Sequence, residues 1–221
     1  MIHIYIKMNK LPEAKAIMEK QAKENPTDKE ARYYLGVITQ EISTKLPIGT
    51  TLENALKSLG DPIKIDKTTT ASGVIEWWSY DNIYLWFENG KLAGYNEQGT
   101  TSAINSSNSA IKWFEEAVAI DPKYFEPHIA IAEIVIADAK KVKTEMNNLG
   151  NSKDDFKKKL ELDKIYQDKL RVALPYWESC EKLSPDDAKV LDTLYLMYFD
   201  LEMTAQATRI EKRMKTLGLL D

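Results

Sequence analysis

At 221 residues the chain is long enough to bury more than one core. Thirty Lys and Arg against 34 Asp and Glu give a formal net charge of −4, and no basic run interleaves with stacking aromatics, which argues against nucleic acid as a partner. There is no apolar run of about 18 residues for direct membrane insertion, and one cysteine and two histidines support neither an intramolecular disulfide nor a metal centre.

The start, MIHIYIKMNK, lacks the basic-then-apolar order and the cleavage site of a signal peptide. Tyr5 already falls near the end of an incomplete first helix. The compartment is periplasm or cell envelope if a leader was removed, and cytoplasm otherwise. Three amphipathic segments further on share one plan. Ala14, Ala110 and Ala173 each stand twelve residues before a proline: Pro26, Pro122 and Pro185. A small residue there lets two helices of a hairpin approach closely, and the proline stops the second helix. The pattern is that of a helix-turn-helix repeat of about 34 residues.

The chain here resembles the tetratricopeptide repeat (TPR) family. Leu35 and Gly36 match the Leu-Gly pair of the family's first helix, and Ala110, Phe114, Ala117 and Pro122 match its second. The match requires removal of a segment from about 43 to 105. A discontinuous helical domain, 1–42 and 105–221, is therefore expected around an inserted domain, 43–104. The resemblance implies a binding scaffold whose first helices line a groove. Its candidate residues are Arg32, Tyr33, Gln40, His128, Glu133, Asp192 and Tyr195.

The insert opens on LPIGTTLENALKSLGDP. Thr50 and Glu53 have capping-box spacing, and Gly60 before Asp61-Pro62 ends a helix over 51–59. The stretch KIDKTTTASG reads as a polar linker. VIEWWSY, IYLWFE and KLAGY read as three strands. Asp81-Asn82 and Asn89-Gly90 read as two-residue turns. The first turn pairs Tyr80 with Ile83, Trp78 with Leu85, and Trp77 with Trp86. The second pairs Phe87 with Leu92, Trp86 with Ala93, and Tyr84 with Tyr95. One face then carries Trp78, Tyr80, Ile83, Leu85, Phe87 and Leu92, and the 51–59 helix is assigned to it. The other carries Trp77, Tyr84, Trp86, Ala93 and Tyr95, and must meet the helical domain, a second copy or a partner.

The insert resembles the SmpA/OmlA-like domain of bacterial envelope proteins through Gly49, Thr50, Leu59, Gly60, Pro62, Trp78, Tyr80, Phe87 and Gly90. That resemblance implies an interaction module in place of an enzyme. No lipid-bearing cysteine precedes it, since Cys180 lies far downstream.

The third hairpin has long arms. The first runs from about Glu126 to Met146, and the second starts near a Ser152 cap. Val142, Met146, Phe156, Leu160 and Leu162 are expected to close the tip, and Pro175 to kink the second arm or start a new helix. A last hairpin begins at Asp186-Asp187, with Arg209, Lys212, Arg213 and Lys215 as its charged outer face.

Catalytic signals are weak. His128 has no orienting carboxylate or nucleophile at a telling spacing. Cys180 fills a small buried repeat position. No Gly-rich phosphate loop follows a strand. The expected fold is α+β, mainly α: stacked TPR-like hairpins plus a helix and a three-stranded antiparallel meander. The expected function is a non-enzymatic scaffold without cofactor or metal. It binds a protein or peptide through the groove, through Trp77, Tyr84, Trp86 and Tyr95, or through both. A homodimer building block joined by the aromatic face is the alternative. An enzyme with a cleft between insert and repeats is the remote one.

Overall fold

A computed structural model describes residues 2–8, 10–80, 83–97 and 106–220. The chain divides into two compact units, Met1–Pro122 and Lys123–Asp221. The fold is mainly helical with one antiparallel sheet.

In the first unit, α1 (Ile2–Lys7) and α2 (Leu11–Glu24) precede α3 (Lys29–Lys45). A proline in the first turn presets α2, where its missing N–H is not needed. Leu11, Ala14, Met18 and Ala22 form the buried stripe of α2, at helical spacing. Asp28 caps α3 by accepting the Ala31 amide at 2.9 Å, and Gln21 donates to the same carboxylate at 2.7 Å. Burial pushes the Asp28 carboxyl up, but these bonds and the Arg32 charge outweigh it and hold the group below its usual range.

The partner of α3 is α5 (Ser106–Ile120), on the far side of the insert in sequence. Lys29 meets Asp121 at 2.6 Å and Arg32 meets Glu116 at 3.3 Å. A Cβ on Gly36 would lie 2.4 Å from the Phe114 ring. These pairings run in opposite directions along the two helices, so the pair is antiparallel. Gly36 is what lets the buried Phe114 ring reach the α3 backbone. The predicted boundary at 104–105 lies outside the described residues.

The intervening segment forms α4 (Leu52–Leu59) and the strands β1 (Lys64–Thr70), β2 (Gly73–Ser79), β3 (Ile83–Glu88) and β4 (Lys91–Glu97). Thr51, one residue past the predicted Thr50, caps α4 by accepting the Asn54 amide. Thr50 has other ties: its carbonyl accepts the Leu92 amide at 2.7 Å, and its hydroxyl donates to the Pro47 carbonyl at 2.6 Å. Gly60 ends α4 at φ 77°, and its carbonyl accepts the Tyr80 hydroxyl at 3.0 Å. Burial, reinforced by the Asp61 charge, pushes the Tyr80 phenol up to about 12.

The strand order is β1-β2-β3-β4, giving four strands where three were expected. The supposed linker KIDKTTTASG supplies β1, paired with β2 over seven positions. All seven β1 residues are exposed, so no alternation marks them as a strand. β-branched threonines and the β2 ladder hold them there.

The β2–β3 register is as expected, with Trp77 opposite Trp86 and Trp78 opposite Leu85. The 81–82 turn itself lies outside the described residues. At the second turn, Asn89 and Gly90 both have positive φ, 51° and 77°, as a two-residue hairpin turn requires. Phe87 pairs with Leu92 there, but a bulge between Trp86 and Phe87 shifts the rest. Trp86 lies opposite Gly94 in place of Ala93, and Tyr95 lies opposite Leu85 in place of Tyr84. The inner face packs under α4: Ala55, Trp78, Tyr80, Leu85, Phe87 and Leu92 are buried in one cluster. Trp78 and Phe87 meet there with ring centroids 4.6 Å apart.

The second unit contains α6 (Phe125–Asn148), α7 (Lys153–Leu183), α8 (Ala188–Asp200) and α9 (Thr204–Thr216). Ser152 and Asp155 form a reciprocal capping box on α7, and Asp187 caps α8 through the Val190 amide at 2.9 Å. α7 continues across Pro175 as one helix, so of the two expected outcomes no new helix starts there. Pro175 and Arg171, whose carbonyl loses its usual donor, both lie on the exposed side. The tip also differs from expectation. Leu162 is buried and Val142 and Met146 pack on the core, but Phe156 and Leu160 are 64% and 55% exposed. At 100° per residue Phe156 and Leu160 lie about 80° and about 120° from Tyr166, the middle of the Leu162–Tyr166–Leu170 stripe. Arg209 and Arg213, read as outer-face charges, turn back to Glu181 and Asp186.

Candidate interaction surface

The side of the sheet away from α4 is built around one cross-strand row: Asp66, Trp77, Trp86 and Gly94. Alternation places Ile75, Ser79 and Tyr84 beside it. The Trp77 and Trp86 rings lie 5.5 Å apart at 33°, within the range of aromatic pairing. Trp77 is 39% exposed, and Trp86 and Tyr84 are half-buried.

Gly94 determines where the Trp86 ring sits. A Cβ at Gly94 would lie 2.2 Å from two Trp86 ring atoms, so the indole occupies the space a side chain would fill. The sequence reading missed this role by assigning Ala93 to the row. A glycine inside a strand was the available signal, because it marks close approach or a bulge. Here it marks both. Tyr95, predicted to join the row, has its register position opposite Leu85.

The surroundings are polar and locally neutral. Lys64 pairs with Asp66 at 2.8 Å. On the inner side, the nearly buried Glu76 carboxylate pairs with Lys67 at 3.0 Å and accepts the Trp78 indole N–H at 3.4 Å. The Glu76 charge is thus paired with a cation in place.

The predicted groove residues fall in both units. In the first, the Arg32 side chain is 14% exposed and reaches Glu116 and the Pro26 carbonyl. Tyr33 packs against Phe114, 5.8 Å between centroids. Gln40 is half-buried on α3. In the second unit, Glu133 on α6 forms an ion pair with Lys189 on α8. His128 and Tyr195 are half-buried and Asp192 is exposed. Tyr195 stands 6.5 Å from the Phe199 ring, which is 67% exposed.

Cys180 is fully buried, and burial with the Asp187 and Glu133 charges pushes its thiol up to about 11. At neutral pH it is a protonated core side chain. Tyr166 donates to Asp200 at 2.5 Å, and Lys143 lies over the Tyr166 ring. A pocket of about 220 Å³ between α1, α2 and α3 is lined mainly by apolar groups such as Ile2, Ile17 and Met18. Among the described residues no three His, Cys, Asp or Glu converge on a metal position, and no helix is long and apolar enough to cross a membrane. No known protein-family model matches the chain, and no characterised protein matches it.

Proposed function

We propose that the chain is a non-enzymatic protein-interaction scaffold that engages its partner through the outer face of the sheet. The carrying observation is Trp77: a large aromatic left 39% exposed beside a second indole, on a sheet whose other face already holds the core. A rigid indole pair with a polar rim matches the composition of interaction hot spots, which favour Trp and Tyr. The helical hairpins then serve as TPR-like support. The α6–α8 pairing through Glu133 and Lys189 favours a second reading, a groove lined by Asp192 and Tyr195.

The test is capture of partners by the purified chain, comparing wild type with Trp77→Ala and Tyr195→Ala. The expected result is a protein retained by wild type and Tyr195→Ala and lost by Trp77→Ala. Melting temperature should stay within a few degrees of wild type, as for surface substitutions. Retention by Trp77→Ala with loss by Tyr195→Ala transfers the function to the helices. Loss of a wild-type dimer in Trp77→Ala makes the face a homodimer seam.

A further inference from the structure

The two edges of the sheet are treated differently. The β4 edge is bulged at Trp86/Phe87 and covered by the chain entering α4. Gly49 donates to the Leu92 carbonyl at 2.7 Å, Leu92 to Thr50 at 2.7 Å, and Leu52 to Gly90 at 3.3 Å. The β1 edge has neither protection. Its seven pairs with β2 run without a shift, and among the described residues no strand lies beyond it. Lysines usually guard such edges by repulsion. Here Lys64 is paired with Asp66 and Lys67 with Glu76, so the edge is locally neutral.

The phase of the ladder shows which groups are open. Asn89 donates its amide to the Val74 carbonyl at 2.8 Å, so Val74 and alternate residues after it bond toward β3. Ile75 and Trp77 then bond toward β1, to Thr68 and Asp66. The main-chain N–H and C=O groups of Ile65, Lys67 and Thr69 therefore point away from the sheet.

We propose that this edge pairs with β1 of a second copy, antiparallel, joining two sheets into one. A two-fold axis normal to the sheet keeps each side chain on its own face, which limits the registers. Centring on Asp66 or Lys67 opposes like charges at the axis, which is unfavourable. Centring on Thr68 sets that residue against its own copy, Lys67 against the partner's Thr69, and Asp66 against the partner's Thr70. No like charges are then opposed, and the outward groups of Lys67 and Thr69 meet outward groups. The Trp77 faces of the two copies would form one continuous surface.

The test is sedimentation equilibrium of the full chain from micromolar to near-millimolar concentration. The expected result is a monomer–dimer equilibrium. Thr69→Pro, which removes an outward donor and leaves the β2 ladder intact, abolishes it. Thr68→Glu and Thr68→Lys each weaken it by about fivefold or more, and an equimolar mixture of the two associates more tightly than either alone. Trp77→Ala dimerises like wild type, which separates this edge from the aromatic face. A monomer at every concentration overturns the proposal. So does a dimer indifferent to both Thr69→Pro and Thr68→Glu.

Discussion

Trp77 and Trp78 are neighbours in sequence with opposite surroundings. Trp78 is 3% exposed beneath α4, against Phe87, and Trp77 is 39% exposed on the other side of the same strand. The pleat alone separates them, since successive strand residues point to opposite faces. The inner face is where burial stabilises the fold. The outer face has comparable aromatic content with only partial burial.

Four measurements test that contrast. Trp78→Ala is expected to cost about 3–5 kcal/mol in denaturant unfolding, as for other large buried aromatics. A cost near that of a surface substitution would show that α4 does not seal the inner face.

The second is alkaline unfolding. The Tyr80 phenol is raised from 10.0 to about 12 by burial and by Asp61, so the folded state holds its proton longer than the unfolded chain. Its contribution is whole below pH 10 and is lost as pH rises from about 10 toward 12. Tyr198, also raised to about 12, acts in the same direction. Melting temperature should therefore fall above pH 10, and Tyr80→Phe should flatten part of that fall. An unchanged slope in Tyr80→Phe would rule Tyr80 out as a contributor.

The third is Gly94→Ala. The new methyl occupies the Trp86 ring position, so the ring swings toward solvent at a cost of about 1 kcal/mol. Near-ultraviolet circular dichroism should lose the signal of the Trp77–Trp86 pair. Retention of that signal would mean that the ring does not lie over Gly94. The smallest effect is Trp77→Ala, expected within about 1 kcal/mol of wild type. A loss comparable to Trp78→Ala would make both faces core and remove the basis for an outer binding surface.

Much of the fold was legible because some signals are local. Asn89-Gly90 specified its turn through the positive φ that those residues tolerate. The TPR resemblance put Gly36 and Phe114 on the two helices of one hairpin, but their contact across α3 and α5 came only from the structure. The Trp77–Trp86 pair followed from alternation and one turn length. Other parts were not readable. β1 carries no apolar period because both its faces meet solvent. The β4 bulge shifts the register between Trp86 and Phe87, and the Trp86 ring over Gly94 is a contact between strands. Phe156 and Leu160 looked like tip core because they are apolar, yet α6 reaches a different face of α7.

The sequence by itself determined the Asn89-Gly90 turn, the caps within a residue and the alternation of the aromatic strands. Each depends on backbone geometry or on a period a few residues long. Only the tertiary structure decided that a threonine-rich linker is an edge strand, that Tyr95 leaves the aromatic row, and that Trp77 stays exposed. Those outcomes depend on which distant segment covers a surface, and neither a local conformational preference nor a short period specifies that.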